Sequence, residues 1–543
     1  MKSSTVPMAM AVAAHPAPAE SVSRAGAVAY LLLTALMLTP LLWVPVPPLV
    51  DYPNHLARMW ILVAGGKIPE LAGDYIIHWR LVPNLAMDLV IPALARVMPL
   101  EVAGRVFIGL TMLGLAGGTL ALHRALHGRT SLWPACALLF IYNAALFWGF
   151  LNFLCGLALF FLLFSGWIAT REWRTPPRLF VFSLAAAILL IFHLFAFGLY
   201  GLSVMSYEFG RRVQGWRLSR AAFLSLFGIG LQFIPALFLW WMSLSNSGPM
   251  FTKYGSWADK RYALLAPWTF SHQPLLLDKL TICFCAGFLA FAILTRSLKL
   301  VPEMRWPLWM MAAVAIAMPN WLSGSWAADT RLPIALPFII IASTRLQSSH
   351  KRVIGLCALG AAMLFGVRIW STTEAWRAYG REFAEFSAAA EAIRPGSRFL
   401  VVQPSMLPED AIPLAGLPLA VDRRYGQVYW HMPALAVIER DAFFPYLFTG
   451  WTPVQPNPRN SGLYQTQSIP LTPEELRQGI EPVDPETWTT PNFLGELLYF
   501  RDWPKTFDYV LWIDFGHPPA AVPSILEPVS SGSFFRIYRI AKP

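Results

Sequence analysis

The sequence predicts a polytopic α-helical membrane protein of roughly eleven spans with a C-terminal soluble α/β domain. Three observations carry that expectation. Hydrophobic residues make up 56% of the 543, and charged residues only 13%. Twenty-three Trp and 37 Phe form an aromatic load suited to a chain with apolar spans and rings at two membrane–water interfaces. After Trp370 the character changes: residues 371–543 hold 14 basic and 19 acidic residues, a net of −5, with many prolines and no run long enough to cross a bilayer.

Taken in order, residues 1–24 are rich in Ala, Pro and Ser and are expected to be disordered. Residues 25–46 form an apolar run of spanning length with no small-residue cleavage site behind it, which reads as an uncleaved signal anchor. A first loop, 48–102, follows. Further apolar runs lie near 104–122, 131–148, 151–169, 178–206, 221–244, 276–296, 307–321, 331–344 and 352–370, and together these make a transmembrane domain over 25–370. Basic clusters at 123–129, 171–178, 211–220, 296–305 and 345–352 belong on the cytoplasmic side, because positive charge is retained there. That rule makes 178–206 leave and return as a pair of short or broken helices turning near His193. Irregular backbone at such depth is tolerated where it is buried in protein or lines a cavity. The N-terminus is then inside, the C-terminus outside, and 48–102, 245–275 and 322–330 lie on the outer face of an inner membrane.

The formal net charge of +11 is accounted for by those cytoplasmic loops, and no nucleic-acid-binding motif accompanies it, so nucleic acid is excluded as a partner. All five cysteines lie inside apolar runs and read as small core residues, without a disulfide framework or metal-site spacing. In the extracytoplasmic domain, 371–543, helical periodicity covers 373–393, and strands are expected at 398–402, 509–513 and 534–538. The Pro- and Asn-rich stretch 451–470 reads as a loop. No internal repeat is visible.

The polar residues of the outer face must hold the chemistry. Asp51-Tyr52-Pro53-Asn54-His55 stands just after the first apolar run, where water, a lipid head group and an acceptor can meet. A carboxylate there can act as general base on a hydroxyl, with a low-dielectric wall raising its pKa. The triplet Asp51-Tyr52-Pro53 is also what a helix N-cap followed by a first-turn proline looks like. Tyr52, His55 and Arg58 lie within two turns of Asp51; in a helix, Asn54 and Arg58 share one face and His55 and Met59 another.

Pro48-Leu49-Val50-Asp51-Tyr52-Pro53-Asn54-His55-Leu56-Ala57-Arg58 through Gly65-Gly66 resembles the first extracytoplasmic loop of lipid-carrier-dependent glycosyltransferases with the GT-C fold, the superfamily of protein mannosyltransferases and lipid A aminoarabinose transferases. Leu100-Glu101-Val102-Ala103-Gly104-Arg105, leading to 121–129, resembles its second or third helix. Thr330-Arg331-Leu332-Pro333 through Pro337-Phe338 resembles its late Arg-x-Leu-Pro-x-x-x-Pro helix start, and Ile393-Arg394-Pro395-Gly396-Ser397-Arg398 the start of its soluble domain.

The resemblance implies a membrane glycosyltransferase moving a sugar from a polyprenyl-phosphate carrier to an extracytoplasmic acceptor, with Asp51 as the catalytic acid position and membrane lipid around it. Many members have two adjacent acids in that loop, whereas here Tyr52 follows Asp51. That weakens a carboxylate-bound divalent metal more than a single general base, and no cofactor is expected. Asp88 interrupts an apolar stretch, where an ionisable group is expensive and a functional candidate, while Asp74 reads as part of a solvated turn. Arg331 is the first choice to neutralise the carrier phosphate, with Lys260 and Arg261 as further substrate-binding cations among aromatic residues. His193 reads more readily as structural than catalytic, and Arg423-Arg424 as a solvated face. The alternative from another class is a transporter or flippase for an envelope lipid or glycan, against which stand the large soluble domain and the missing internal repeat.

Overall fold

The computed structural model describes residues 23–213, 219–244, 251–347, 349–404, 426–449, 452–464, 470–479, 498–519 and 521–542. The expected disorder of 1–24 falls outside these residues except for Ser23 and Arg24, and Arg423-Arg424 falls outside them altogether.

Helices dominate the first 390 residues. In chain order they are α1 (Arg24–Leu38), α2 (Tyr52–Ala64), α3 (Pro69–Asp74), α4 (Ala86–Leu94), α5 (Leu100–His127), α6 (Ala144–Trp148), α7 (Leu151–Ala169), α8 (Thr175–Phe192), α9 (Leu194–Arg212), α10 (Arg220–Gly230), α11 (Ile234–Leu244), α12 (Trp257–Leu265), α13 (Leu275–Leu294), α14 (Arg305–Ala317), α15 (Ala328–Ser343) and α16 (Lys351–Ala390). The chain is an integral membrane protein. Seven helices among the described residues are long and apolar enough to cross a bilayer, against the roughly eleven expected. Several apolar runs are cut short by local signals. Run 131–148 divides into a 3-10 helix, Trp133–Phe140, and the short α6, because Asn143 caps α6 (Leu146 N–H to Asn143 Oδ1, 3.1 Å) and Gly149 ends it in the left-handed region. Run 307–321 yields the 13-residue α14, and Pro319 follows its end.

The expected turn at His193 is present and is one residue wide: α8 ends at Phe192, His193 is extended (φ −163°, ψ 121°), and α9 starts at Leu194. The two helices are 18 and 19 residues long, so the pair is not short. Asn84, itself at φ 69°, accepts the Leu194 N–H on its side-chain oxygen (3.2 Å), and Leu85 N–H donates to Ile191 C=O (2.9 Å). The loop before α4 thus satisfies backbone groups that the break sets free.

The expected boundary at 370/371 lies inside α16. This helix of 40 residues, about 60 Å long at 1.5 Å per residue, starts exposed and apolar and ends with Trp376, Tyr379, Phe383 and Phe386 buried. Its far end packs on the C-terminal sheet through Phe386 and Phe535, 5.7 Å between ring centroids. That sheet runs β4 (Phe399–Val402), β6 (Tyr509–Ile513), β8 (Phe535–Ile540), β7 (Leu526–Ser531), with β4 and β6 parallel and the other neighbours antiparallel. α17 (Leu435–Arg440) packs beside α16 and α2.

The first loop and the C-terminal domain are stitched into one face. β1 (Tyr75–Ile77) pairs antiparallel with β5 (Val454–Pro456), which lies in the stretch read from sequence as loop. Asp74 is not in a solvated turn: it is buried, accepts from Asn460 Nδ2 at 2.6 Å and lies 3.7 Å from Arg398. At the other end of the bundle, β2 (Leu298–Leu300) pairs with β3 (Thr344–Leu346), placing Lys299 opposite Arg345. Trp133 Nε1 donates to Thr344 Oγ1, and Arg178, Arg211 and Arg212 surround the buried Glu208.

Candidate functional site

α2 begins at the residue after Asp51. The chain arrives there through Val50 N–H to Phe147 C=O (3.0 Å) and Asp51 N–H to Trp148 C=O (3.1 Å), so the end of α6 holds the start of α2. Gly149 makes that approach possible. Its φ of +80° is the left-handed region, and a Cβ added to it would meet Asp51 N at 3.0 Å and Asp51 Cβ at 3.1 Å. Gly104, the glycine of the Gly104-Arg105 pair, serves Tyr52 in the same way: a Cβ there would lie 1.9 Å from the Tyr52 hydroxyl.

Asp51 occupies the N-cap position of α2, but its side chain makes no capping hydrogen bond. Of the two sequence readings, the cap is therefore not what the carboxylate is used for. Its side chain is 18% exposed and accepts no hydrogen bond among the described residues. Burial raises its pKa to about 8. Trp148, whose carbonyl holds the Asp51 N–H, belongs to a cluster of half-buried rings: it meets Trp326 at 4.7 Å and Trp430 at 6.3 Å between centroids, and its Nε1 donates to Tyr262 Oη at 2.9 Å.

A polar group of the C-terminal domain stands beside the carboxylate. His431 Nε2 lies 3.6 Å from Asp51 Oδ1, beyond hydrogen-bond reach. Burial pushes the His431 imidazole down to about 3, so it is neutral and the contact is not an ion pair. His55, lowered by burial first and then by Arg58 and His431, is neutral too. His431 had no signal in the sequence that could have found it. It is a single histidine in an irregular stretch, 380 positions from its partner.

One turn along α2, the chain borders a cavity of about 980 Å³. His55 and Arg58 line it from α2, Asn84 and Asn152 from the α4 and α7 starts, His193 from the helix break, and Arg331 from the first turn of α15. Its remaining walls are mostly apolar, among them Phe153, Phe197, Leu202, Leu237 and Trp240. The two arginines differ. Arg58 is clamped by Asp88 at two points, Nε to Oδ1 and Nη2 to Oδ2, each 2.9 Å, with both side chains buried. Arg331 is buried, donates to Ser325 Oγ at 2.8 Å, sits 5.7 Å and 5.8 Å from the Phe150 and Phe195 rings, and makes no ion pair among the described residues. Its Nε has no hydrogen-bond partner among the described residues.

The other sequence candidates are placed elsewhere. Tyr52 does not reach substrate space: its ring is fully buried against α5. Asp88 does not face the cavity as a free acid, being spent on Arg58. Lys260 is held by Met318 C=O at 2.7 Å and Asp329 at 3.4 Å, and Arg261 is exposed, so neither cation lines the cavity. Asp51 itself is not among the lining residues; the α2 residue of the wall closest to it in sequence is His55. Among the described residues no group of three or more His, Cys, Asp or Glu is placed to hold a metal ion.

The sequence matches no protein-family model and has no significant match among curated proteins. The structure is similar to ArnT from Cupriavidus metallidurans bound to undecaprenyl phosphate, at 11% identity and a TM-score of 0.47, covering 95% of this chain and 98% of that one. The same protein in its apo state gives 12% identity and a TM-score of 0.48. Arabinofuranosyltransferase AftD from Mycobacteria is similar at 15% identity and a TM-score of 0.49, over 96% of this chain and 40% of AftD.

Proposed function

We propose that this protein is a membrane glycosyltransferase that moves one sugar from a polyprenyl-phosphate carrier to a hydroxyl of an extracytoplasmic acceptor, with Asp51 as general base. One observation carries the reading: a buried arginine with no ion pair among the described residues lines an apolar cavity that α2 borders at His55, one turn beyond a carboxylate poised near pH 8. A lipid-linked phosphosugar has complementary parts. Its isoprenoid chain suits the apolar wall. Its phosphate suits Arg331, which sits in the first turn of α15, where the helix dipole also favours an anion.

In the reaction so drawn, the acceptor oxygen attacks the anomeric carbon as the bond from that carbon to the phosphate oxygen breaks. The acceptor proton passes to Asp51, and the phosphate keeps the electron pair as polyprenyl phosphate, its growing charge met by Arg331. A single displacement of this kind inverts the anomeric centre. Arg58 belongs to the scaffold of the site, since Asp88 already neutralises it.

The test is purified protein offered polyprenyl-phosphate pentose and hexose donors with a soluble glycan acceptor. Sugar transfer matched by release of carrier phosphate is the expected outcome. Movement of intact lipid across proteoliposomes, with no carrier phosphate released from any donor, would replace the enzyme with the transporter alternative.

A further inference from the structure

The proton inventory around Asn54 fixes the state of His431. Asn54 Oδ1 accepts the Phe448 N–H at 2.8 Å, so the other end of the amide is the NH2 group. That NH2 donates to Tyr446 C=O at 2.7 Å and to His431 Nδ1 at 3.0 Å. A nitrogen that accepts from an amide carries no proton of its own. In a neutral imidazole the proton then resides on Nε2, the atom that faces Asp51 Oδ1 at 3.6 Å. The ring is held in that pose by Phe448, 4.9 Å between centroids, and Asn54 is itself three residues beyond Asp51 on the first turn of α2.

From this geometry we propose that His431 is a positioning residue for Asp51: Asn54 locks it in the Nε2–H tautomer, and it donates to the Asp51 carboxylate as that group ionises. The inference rests on the reading of Asp51 as the base. A contact of 3.6 Å without substrate is long, and catalytic hydrogen bonds commonly tighten only when the site is filled. The direction of the effect is fixed by the tautomer. A donor to the charged form favours the carboxylate, so His431 makes Asp51 easier to ionise, against the burial that opposes it. Among the described residues, the other charges that act on this stretch of α2 are Arg58, which acts on His55 and is neutralised by Asp88, and Glu101 and Arg105 on α5, which act on Tyr52. The soluble domain thereby reaches into the chemistry of the first loop and does more than cover it.

The pH dependence of sugar transfer separates positioning from packing. His431→Phe keeps a ring beside Phe448 and removes the donor. It is expected to lower kcat about tenfold to a hundredfold at pH 7 and to move the rising limb of the profile up by about one to two pH units, the range of a hydrogen bond to a charged group. KM for the lipid donor should hold. His431→Gln, whose amide can place an N–H near the same point, should recover most of the rate and return the limb toward that of the native chain. If His431→Phe fails to fold, His431→Met carries the same comparison. An unmoved limb in a folded donor-less variant overturns the positioning role while Asp51→Asn still abolishes turnover. Activity surviving in Asp51→Asn would instead remove the base reading on which the inference rests.

Discussion

Two carboxylates of the first loop, Asp51 and Asp88, and two arginines at one cavity, Arg331 and Arg58, have opposite fates. Asp88 and Arg58 are spent on each other through two 2.9 Å hydrogen bonds, away from water. Among the described residues Asp51 and Arg331 have no such two-point partner, the first with its pKa raised to about 8 and the second with an Nε that donates to none of them. Removing one partner of a buried pair is strongly destabilising, whereas a buried ionisable group with a perturbed pKa at a cleft is a candidate for function. The pair Arg58–Asp88 joins α2 to α4, and Arg58 also reaches Phe448 C=O at 3.4 Å. It is scaffold. On the proposed reading, Asp51 and Arg331 are left for substrate.

The largest effect that can break this comparison is on stability. Asp88→Ala leaves the Arg58 charge buried without a partner and should cost roughly 3–5 kcal/mol, read as a lowered Tm of the detergent-solubilised protein. Replacing both, Arg58→Met with Asp88→Leu, should restore most of that loss. A silent Asp88→Ala would mean that Asp88 is not a scaffold residue. Next in size is donor affinity: Arg331→Ala should weaken binding of a polyprenyl-phosphate sugar about tenfold to a hundredfold, with little change in Tm. Arg331→Lys should recover part of the charge but not two-point geometry. Equal affinity in Arg331→Ala would reduce Arg331 to a helix-end anchor.

The mildest test is pH. A base must be ionised, so kcat/KM should rise about tenfold per pH unit below pH 8 and level off above it. Stability should move the other way. The Asp51 pKa is raised on folding, so the folded state holds more protons than the unfolded one between the ordinary carboxylate pKa and about 8, and stability falls as pH rises through that window. Asp51→Asn removes that fall and should melt higher than the native chain at pH 9. A flat kcat/KM profile from pH 5 to 9 would place the titrating group elsewhere.

The sequence and the structure agree where local pattern decides. The strands expected at 398–402, 509–513 and 534–538 appear as β4, β6 and β8, each a hydrophobic run with turn residues nearby. β7 carried no such pattern: it is an edge strand, mostly exposed, containing Pro528 and a bulge before Ser530. A break near His193 followed from the basic loops on either side of 178–206, but its width of one residue and the full length of both helices did not. Asp51 and Arg331 stood out in the sequence because an ionisable group beside an apolar run is costly, and the structure buries both. Partners were not legible. Asp74 with Asn460, Arg58 with Asp88 and His431 with Asp51 and Asn54 are contacts across 30 to 386 positions, and no periodicity encodes which distant residue neutralises a charge. The first pair turned a solvated turn into a stitch between domains, and the second turned a functional candidate into scaffold.

The central claim is that Asp51 takes a proton and does not cap a helix, and substitution at that one position tests it most directly. Asn is nearly isosteric and caps helices about as well as Asp, but it cannot act as a base. Sugar transfer from a polyprenyl-phosphate donor should therefore fall by roughly two to four orders of magnitude in Asp51→Asn, with folding and donor binding intact. Near-native transfer by Asp51→Asn would contradict the account.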